Sequence, residues 1–113
     1  MSGITTHVLD TAEGRPAAGI SVVLEYKRED GWSKIASGAT NQDGRVADLL
    51  PKDHQLLAGT YKLTFNTFEY FSARNVESFY PFVPVIFEIK QTAQHYHVPL
   101  LLSPFGYSTY RGS

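Results

Sequence analysis

His95 and His97 stand two residues apart near the end of a 113-residue chain, His7 lies near its beginning, and Arg45 directly follows the turn-forming run Asn41-Gln42-Asp43-Gly44. The chain closes on Tyr110-Arg111-Gly112-Ser113. Imidazole, with an ordinary pKa of about 6.5, can take up and return a proton near neutral pH. Guanidinium stays protonated, so it serves as a planar clamp for a carbonyl or a developing oxyanion rather than as a base. If the terminal segment is held in a pocket instead of frayed, a phenol, a guanidinium and a carboxylate join that set. The chemistry these groups suit is proton transfer on a polar, planar substrate.

Each residue also has a plainer reading. A single histidine on a strand is commonly solvated or hydrogen-bonded for structure, and an arginine after a turn is commonly a surface charge. His54, in the polar loop Pro51–Gln55, is read that way, and His95 is read as flanking the site. For His7, Arg45, His97 and the Tyr110–Ser113 segment the plain reading weakens, because polar groups interrupt strands that otherwise alternate cleanly. His7, His95 and His97 could also supply three nitrogens to a zinc ion with an open position. The neighbouring arginines oppose a further divalent charge, and no metal or organic cofactor is expected. The sequence contains no Gly-x-Ser-x-Gly elbow, phosphate loop or dinucleotide glycine fingerprint.

Strands must position these groups, because the dominant period is two. Ile20, Val22, Leu24 and Tyr26 alternate with Ser21, Val23, Glu25 and Lys27, the pattern of a half-buried strand. The same alternation runs through Tyr61–Asn66 and Val83–Lys90. Tyr96, Val98, Leu100 and Leu102 form an apolar face opposite His95, His97, Pro99 and Leu101, so His97 points away from the core. Shorter strands are predicted at Thr5–Leu9, Trp32–Ala39, Arg45–Leu49 and Tyr107–Arg111. Asn66 or Thr67 can cap a short helix running to Asn75, with Phe68 and Phe71 on one face. The prolines in Phe79-Tyr80-Pro81-Phe82-Val83-Pro84 read as a guarded lead-in to an edge strand. About seven or eight short strands separated by regular turns, Glu13-Gly14-Arg15-Pro16 among them, predict an all-β, antiparallel sandwich with one short helix.

Composition narrows the function classes. The length fits one domain, residues 1–113, burying roughly two-thirds of the surface of its unfolded chain. Formal charge is −1 with basic residues scattered, which leaves no electrostatic footprint for nucleic acid. No apolar run approaches the ~20 residues of a membrane span, and the first residues do not resemble a signal peptide. With no cysteine, disulfides and thiolate chemistry are absent, and a cytoplasmic location is expected.

The terminal Tyr110-Arg111-Gly112-Ser113, the stretch His97-Val98-Pro99-Leu100-Leu101-Leu102-Ser103-Pro104 and the opening Thr6-His7-Val8-Leu9-Asp10 together resemble the 5-hydroxyisourate hydrolases, transthyretin-related enzymes of urate degradation. The resemblance extends over essentially the whole chain, Gly44-Arg45-Val46 and Phe82-Val83-Pro84 included. It implies a transthyretin-like sandwich assembled as a homotetramer, a dimer of dimers with active sites at subunit interfaces. It implies hydrolysis of 5-hydroxyisourate to 2-oxo-4-hydroxy-4-carboxy-5-ureidoimidazoline without a cofactor. His7, Arg45, His97 and Ser113 would be catalytic, with Tyr110, Arg111 and Gly112 also contacting substrate. In that reading either His7 or His97 is the general base, and Arg45 clamps the substrate and its oxyanion. A transthyretin-like carrier of small ligands is the alternative.

Overall fold

The computed structural model describes residues 3–51 and 53–112. Its strands are β1 (Ile4–Asp10), β2 (Arg15–Pro16), β3 (Ser21–Arg28), β4 (Gly31–Ala39), β5 (Gly59–Phe65), β6 (Val83–Ile89), β7 (Tyr96–Ser103) and β8 (Gly106–Thr109), with one helix, α1 (Thr67–Ser72), between β5 and β6. They form two four-stranded sheets, ordered β2-β1-β7-β8 and β4-β3-β5-β6. Burial follows the alternation of the sequence. In β1, Ile4, Thr6, Val8 and Asp10 are buried while Thr5, His7 and Leu9 are only partly covered. Val8 and Leu100 from one sheet and Leu24, Leu63, Phe65 and Ile89 from the other are wholly inaccessible. Such a shared apolar layer between two sheets is what holds a sandwich together.

The sandwich is not purely antiparallel. β1 pairs with β7 in parallel, with Thr5 opposite His97 and His7 opposite Pro99, whereas the other ladders are antiparallel. Alternation alone cannot separate the two arrangements, since both have a side-chain period of two.

Three further expectations change. Arg45–Leu49 is not a strand: Arg45 makes one isolated bridge to His7, after which the chain turns and tucks Val46, Leu49 and Leu50 into the core. The cause lies upstream, where Asn41 Oδ1 accepts from the backbone N–H groups of Asp43 (2.9 Å) and Arg45 (3.1 Å). Asp48 then reverses direction with φ 53°, in the left-handed region that Asp tolerates better than most residues. The residues Arg15–Pro16, read as part of a turn, form the short strand β2 against Leu9 and Asp10.

The helix also ends sooner than Asn75, because Asn75 takes φ 57°. Its buried face is Thr67, Tyr70 and Phe71, the i, i+3, i+4 set, while Phe68 is 53% exposed. Asn66 caps it as expected: its side chain accepts from the Glu69 N–H. β6 begins at Val83 and is an outer strand of its sheet, in keeping with the prolines before it. Among the described residues, no helix is long and apolar enough to cross a membrane.

One buried polar group locks α1 onto β1. Asp10, 2% exposed, accepts from the N–H groups of Ala12 and Glu13, each at 3.0 Å, and from the Tyr70 hydroxyl at 2.7 Å. Burial first, and the Asp10 carboxylate next, push the Tyr70 phenol up to about 12. Tyr70→Phe should cost about 1.5–3 kcal/mol in urea denaturation, the usual worth of a hydrogen bond to a charged group. Because the folded-state pKa is raised, the wild-type advantage should be complete below pH ~10 and fade as pH rises towards 12. A pH-independent difference would contradict that assignment.

Candidate active site

The outward face of the β1–β7 pair carries the histidines. Parallel register sets Thr5 directly beside His97, and the Thr5 hydroxyl lies 2.8 Å from His95 Nε2 and 2.8 Å from His97 Nδ1. His97 is thus held by one ring nitrogen, which leaves Nε2 for other partners. Its pKa falls below 6.5, through burial first and then through repulsion by Arg45 and by any charge on the neighbouring His7 and His95 rings. Neutral imidazole is therefore the dominant form of His97 at pH 7.

Arg45 reaches this face through the compact turn that ends at Gly44. The Val8 N–H donates to the Gly44 carbonyl (2.8 Å), which lays the turn flat on β1 and pairs Arg45 with His7. Gly44 has φ +75°, and a Cβ there would stand 2.4 Å from the Val8 carbonyl oxygen and 3.3 Å from His7 Cδ2. Only glycine suits both the left-handed backbone and the close approach. Between this turn and the histidines opens a cleft of about 490 Å³, lined by Thr5, Asn41, Arg45, Ala47, His95 and His97 among others. An exposed guanidinium beside a neutral, hydrogen-bonded imidazole can bind a planar polar molecule and stabilise negative charge that develops on it.

The end of the chain returns to the same imidazole. Gly112 donates its N–H to the His97 carbonyl (2.8 Å), and a Cβ on Gly112 would lie 2.6 Å from His97 Cδ2. The structure thus brings His7, Arg45, His97 and Gly112 together. It directs Arg111 elsewhere: its guanidinium stacks 4.2 Å over the Tyr96 ring and donates to Gln94 Oε1 (2.9 Å) and the His95 carbonyl (3.3 Å). Tyr110 is exposed, and with Arg111 it borders a second, apolar cleft of about 280 Å³ beside Val85, Phe87, Tyr96 and Val98. Ser113 lies outside the described residues.

His54 is exposed. No group of three or more His, Asp or Glu side chains is placed to hold a metal ion among the described residues. The imidazole nitrogens that do converge meet on the Thr5 hydroxyl. Thr5 itself escaped the sequence reading. The signal that could have found it is a hydroxyl on the outward face of β1, but it counts only once the parallel register is known.

Comparison with known proteins gives the same picture along the whole chain. Residues 4–112 match the model of the HIUase/Transthyretin family. The chain is 49% identical over 114 residues to a 5-hydroxyisourate hydrolase of Mus musculus, covering 99% of this chain and 96% of the relative. Among solved structures it is similar to the 5-hydroxyisourate hydrolase of Klebsiella pneumoniae, with TM-score 0.85 and 38% identity over 99% of this chain and 100% of the other. It is also similar to transthyretin from Sparus aurata, with TM-score 0.92 and 31% identity over 99% and 97% of the two chains. Sandwich topology, outward-facing histidines and full-length sequence likeness converge: this chain belongs to the HIUase/Transthyretin family.

Proposed function

We propose that this chain is a 5-hydroxyisourate hydrolase, opening the six-membered ring of its substrate with water, and that residues 1–113 act as one domain. The observation that carries the proposal is the neutral, Thr5-held His97 beside Arg45 and His7, in a chain about half identical to relatives named for that reaction. Ring opening needs a base for the attacking water, a partner for the carbonyl oxygen as it becomes anionic, and a proton for the departing nitrogen. One of the two imidazoles acts as the general base toward water, and the other orients the reacting groups. Arg45 holds the carbonyl edge and the oxyanion. The Gly112 backbone closes over the His97 ring, and Tyr110, Arg111 and Ser113 complete the substrate pocket when subunits assemble. A carrier of apolar ligands would favour apolar lining throughout, whereas this cleft presents Arg45, His95 and His97.

The assembly proposed is a homotetramer, a dimer of dimers. β6 and β8 are each an outer strand of their sheet, the apolar cleft between them is lined in part by Ile86, and Ile86 on β6 and Tyr107 on β8 are exposed. Edge strands with apolar side chains favour pairing with another copy. A reducing cytoplasm suits a cysteine-free chain, and the reaction is proposed to run there.

His97→Asn should lower turnover of freshly generated 5-hydroxyisourate, followed by ultraviolet absorbance, by about 10²–10⁴-fold. Arg45→Lys should cost about 10²–10³-fold, because a point charge loses the planar fork. Near-normal kinetics in both variants would defeat the proposal. Light scattering should give four times the chain mass, and a monomer that is fully active would remove assembly from the site. In an imidazole NMR titration, the His97 midpoint should fall below 6.5 and turnover should decline as acid protonates it. Arg45→Ala should raise that midpoint by removing a nearby positive charge; an unchanged midpoint would show that Arg45 does not act on His97.

A further inference from the structure

A hydroxyl has one proton, yet the Thr5 oxygen sits 2.8 Å from two imidazole nitrogens. It can donate to only one ring, and if both rings donated to it the hydroxyl proton would have no acceptor among the described residues, so one ring donates to Thr5 and the other accepts from it. The two histidines cannot choose their tautomers independently. If His95 donates from Nε2, Thr5 donates to His97 Nδ1, and the proton of neutral His97 resides on Nε2. In the opposite direction His97 donates from Nδ1, and His95 accepts at Nε2 while carrying its own proton on Nδ1.

His95 Nδ1 decides between them. It is buried and has no hydrogen-bond partner among the described residues. The opposite direction would strand a buried N–H, whereas the first leaves only an unused lone pair. Orphaned buried donors are the rarer and costlier defect. We infer that Thr5 and His95 are positioning residues that fix His97 as its Nε2–H tautomer, which makes His97 a hydrogen-bond donor to the reacting carbonyl and leaves His7 as the general base. The catalytic half of this statement rests on the hydrolase reading; the tautomer half does not.

Among the described residues, the groups facing the His97 ring are Thr5 and His7 from β1, His95 beside its own strand, Arg45 just after the 41–44 turn, and the Gly112 backbone. None of these is a carboxylate, so nothing in this set favours imidazolium. Neutral imidazole can polarise a carbonyl through its N–H. His7 removes a proton from water, and the hydroxide oxygen bonds to the carbonyl carbon. The C=O electron pair moves onto oxygen, where His97 Nε2–H and Arg45 meet it. As the tetrahedral carbon collapses, the C–N bond breaks and the nitrogen receives the proton held by His7.

Long-range ¹H–¹⁵N correlation of the histidine rings in the full chain, without ligand and above the His97 midpoint, should show protonated Nε2 and unprotonated Nδ1 for His97, and protonated Nε2 for His95. Protonated Nδ1 on His97 would overturn the inference whether or not the protein hydrolyses 5-hydroxyisourate. Thr5→Val should mix the His97 tautomers and lower kcat about tenfold or more with KM changed less than about twofold. Thr5→Ser and His95→Gln, which keep a hydroxyl and an Nε-type donor, should restore both readouts. If Thr5→Val retains a single Nε2–H tautomer and full kcat, Thr5 has no positioning role. Should that variant fail to fold, the wild-type spectrum alone decides.

Discussion

Parallel pairing of β1 with β7 is the constraint on which the site depends. It places Thr5 opposite His97 and His7 opposite Pro99, so that one hydroxyl can reach two rings and the second histidine falls on the same outward face. A shift of one residue would turn every side chain of β1 to the other side of the sheet. Ile4, Val8 and the buried carboxylate of Asp10 would then meet solvent, and Thr5 and His7 would enter the core. The apolar layer between the sheets thus fixes the register, and the register fixes the chemistry.

Around that pair, the remaining groups are delivered by backbone rather than by long side-chain contacts. The Asn41 carbonyl side chain shapes a turn that Gly44 lets press against Val8, and Arg45 arrives beside His7 as a result. The Gly112 N–H bridges back to His97. Both glycines sit where a methyl group would collide with its neighbour, so the cleft is bounded by main chain on two sides. Such walls have few rotamers to lose, which suits the proposed role of the cleft in holding proton donors and acceptors in fixed directions.

Much of this was visible in the residues themselves. Clean alternation marked the core faces of β3, β5, β6 and β7, and polar residues breaking it marked His7 and His97. The likeness of the motifs to a known family supplied the substrate, which no spacing could have done. What stayed hidden depended on contacts distant in sequence. Arg45–Leu49 reads as a strand because its alternation says nothing of the Asn41 side chain that ends it. Phe68 looks as apolar as Phe71, and only the helix phase set by Thr67 and Tyr70 turns it outward. Arg111 could have aimed at either face until the Tyr96 ring, stacked beneath its guanidinium, fixed its direction. Thr5 was unreadable because period two is silent about strand direction.

The hydrogen bond between Thr5 and His97 spans 92 positions of the chain, and the pair of strands around it closes a correspondingly long loop. Contacts of such separation form slowly and late compared with hairpins such as β3–β4. On the ribosome, β1 must therefore wait, unpaired along that edge, until β7 has emerged. Hairpins of the opposite sheet can assemble first and give it a surface to rest on. A nascent chain that stops short of β7 cannot bring Thr5 and His97 together.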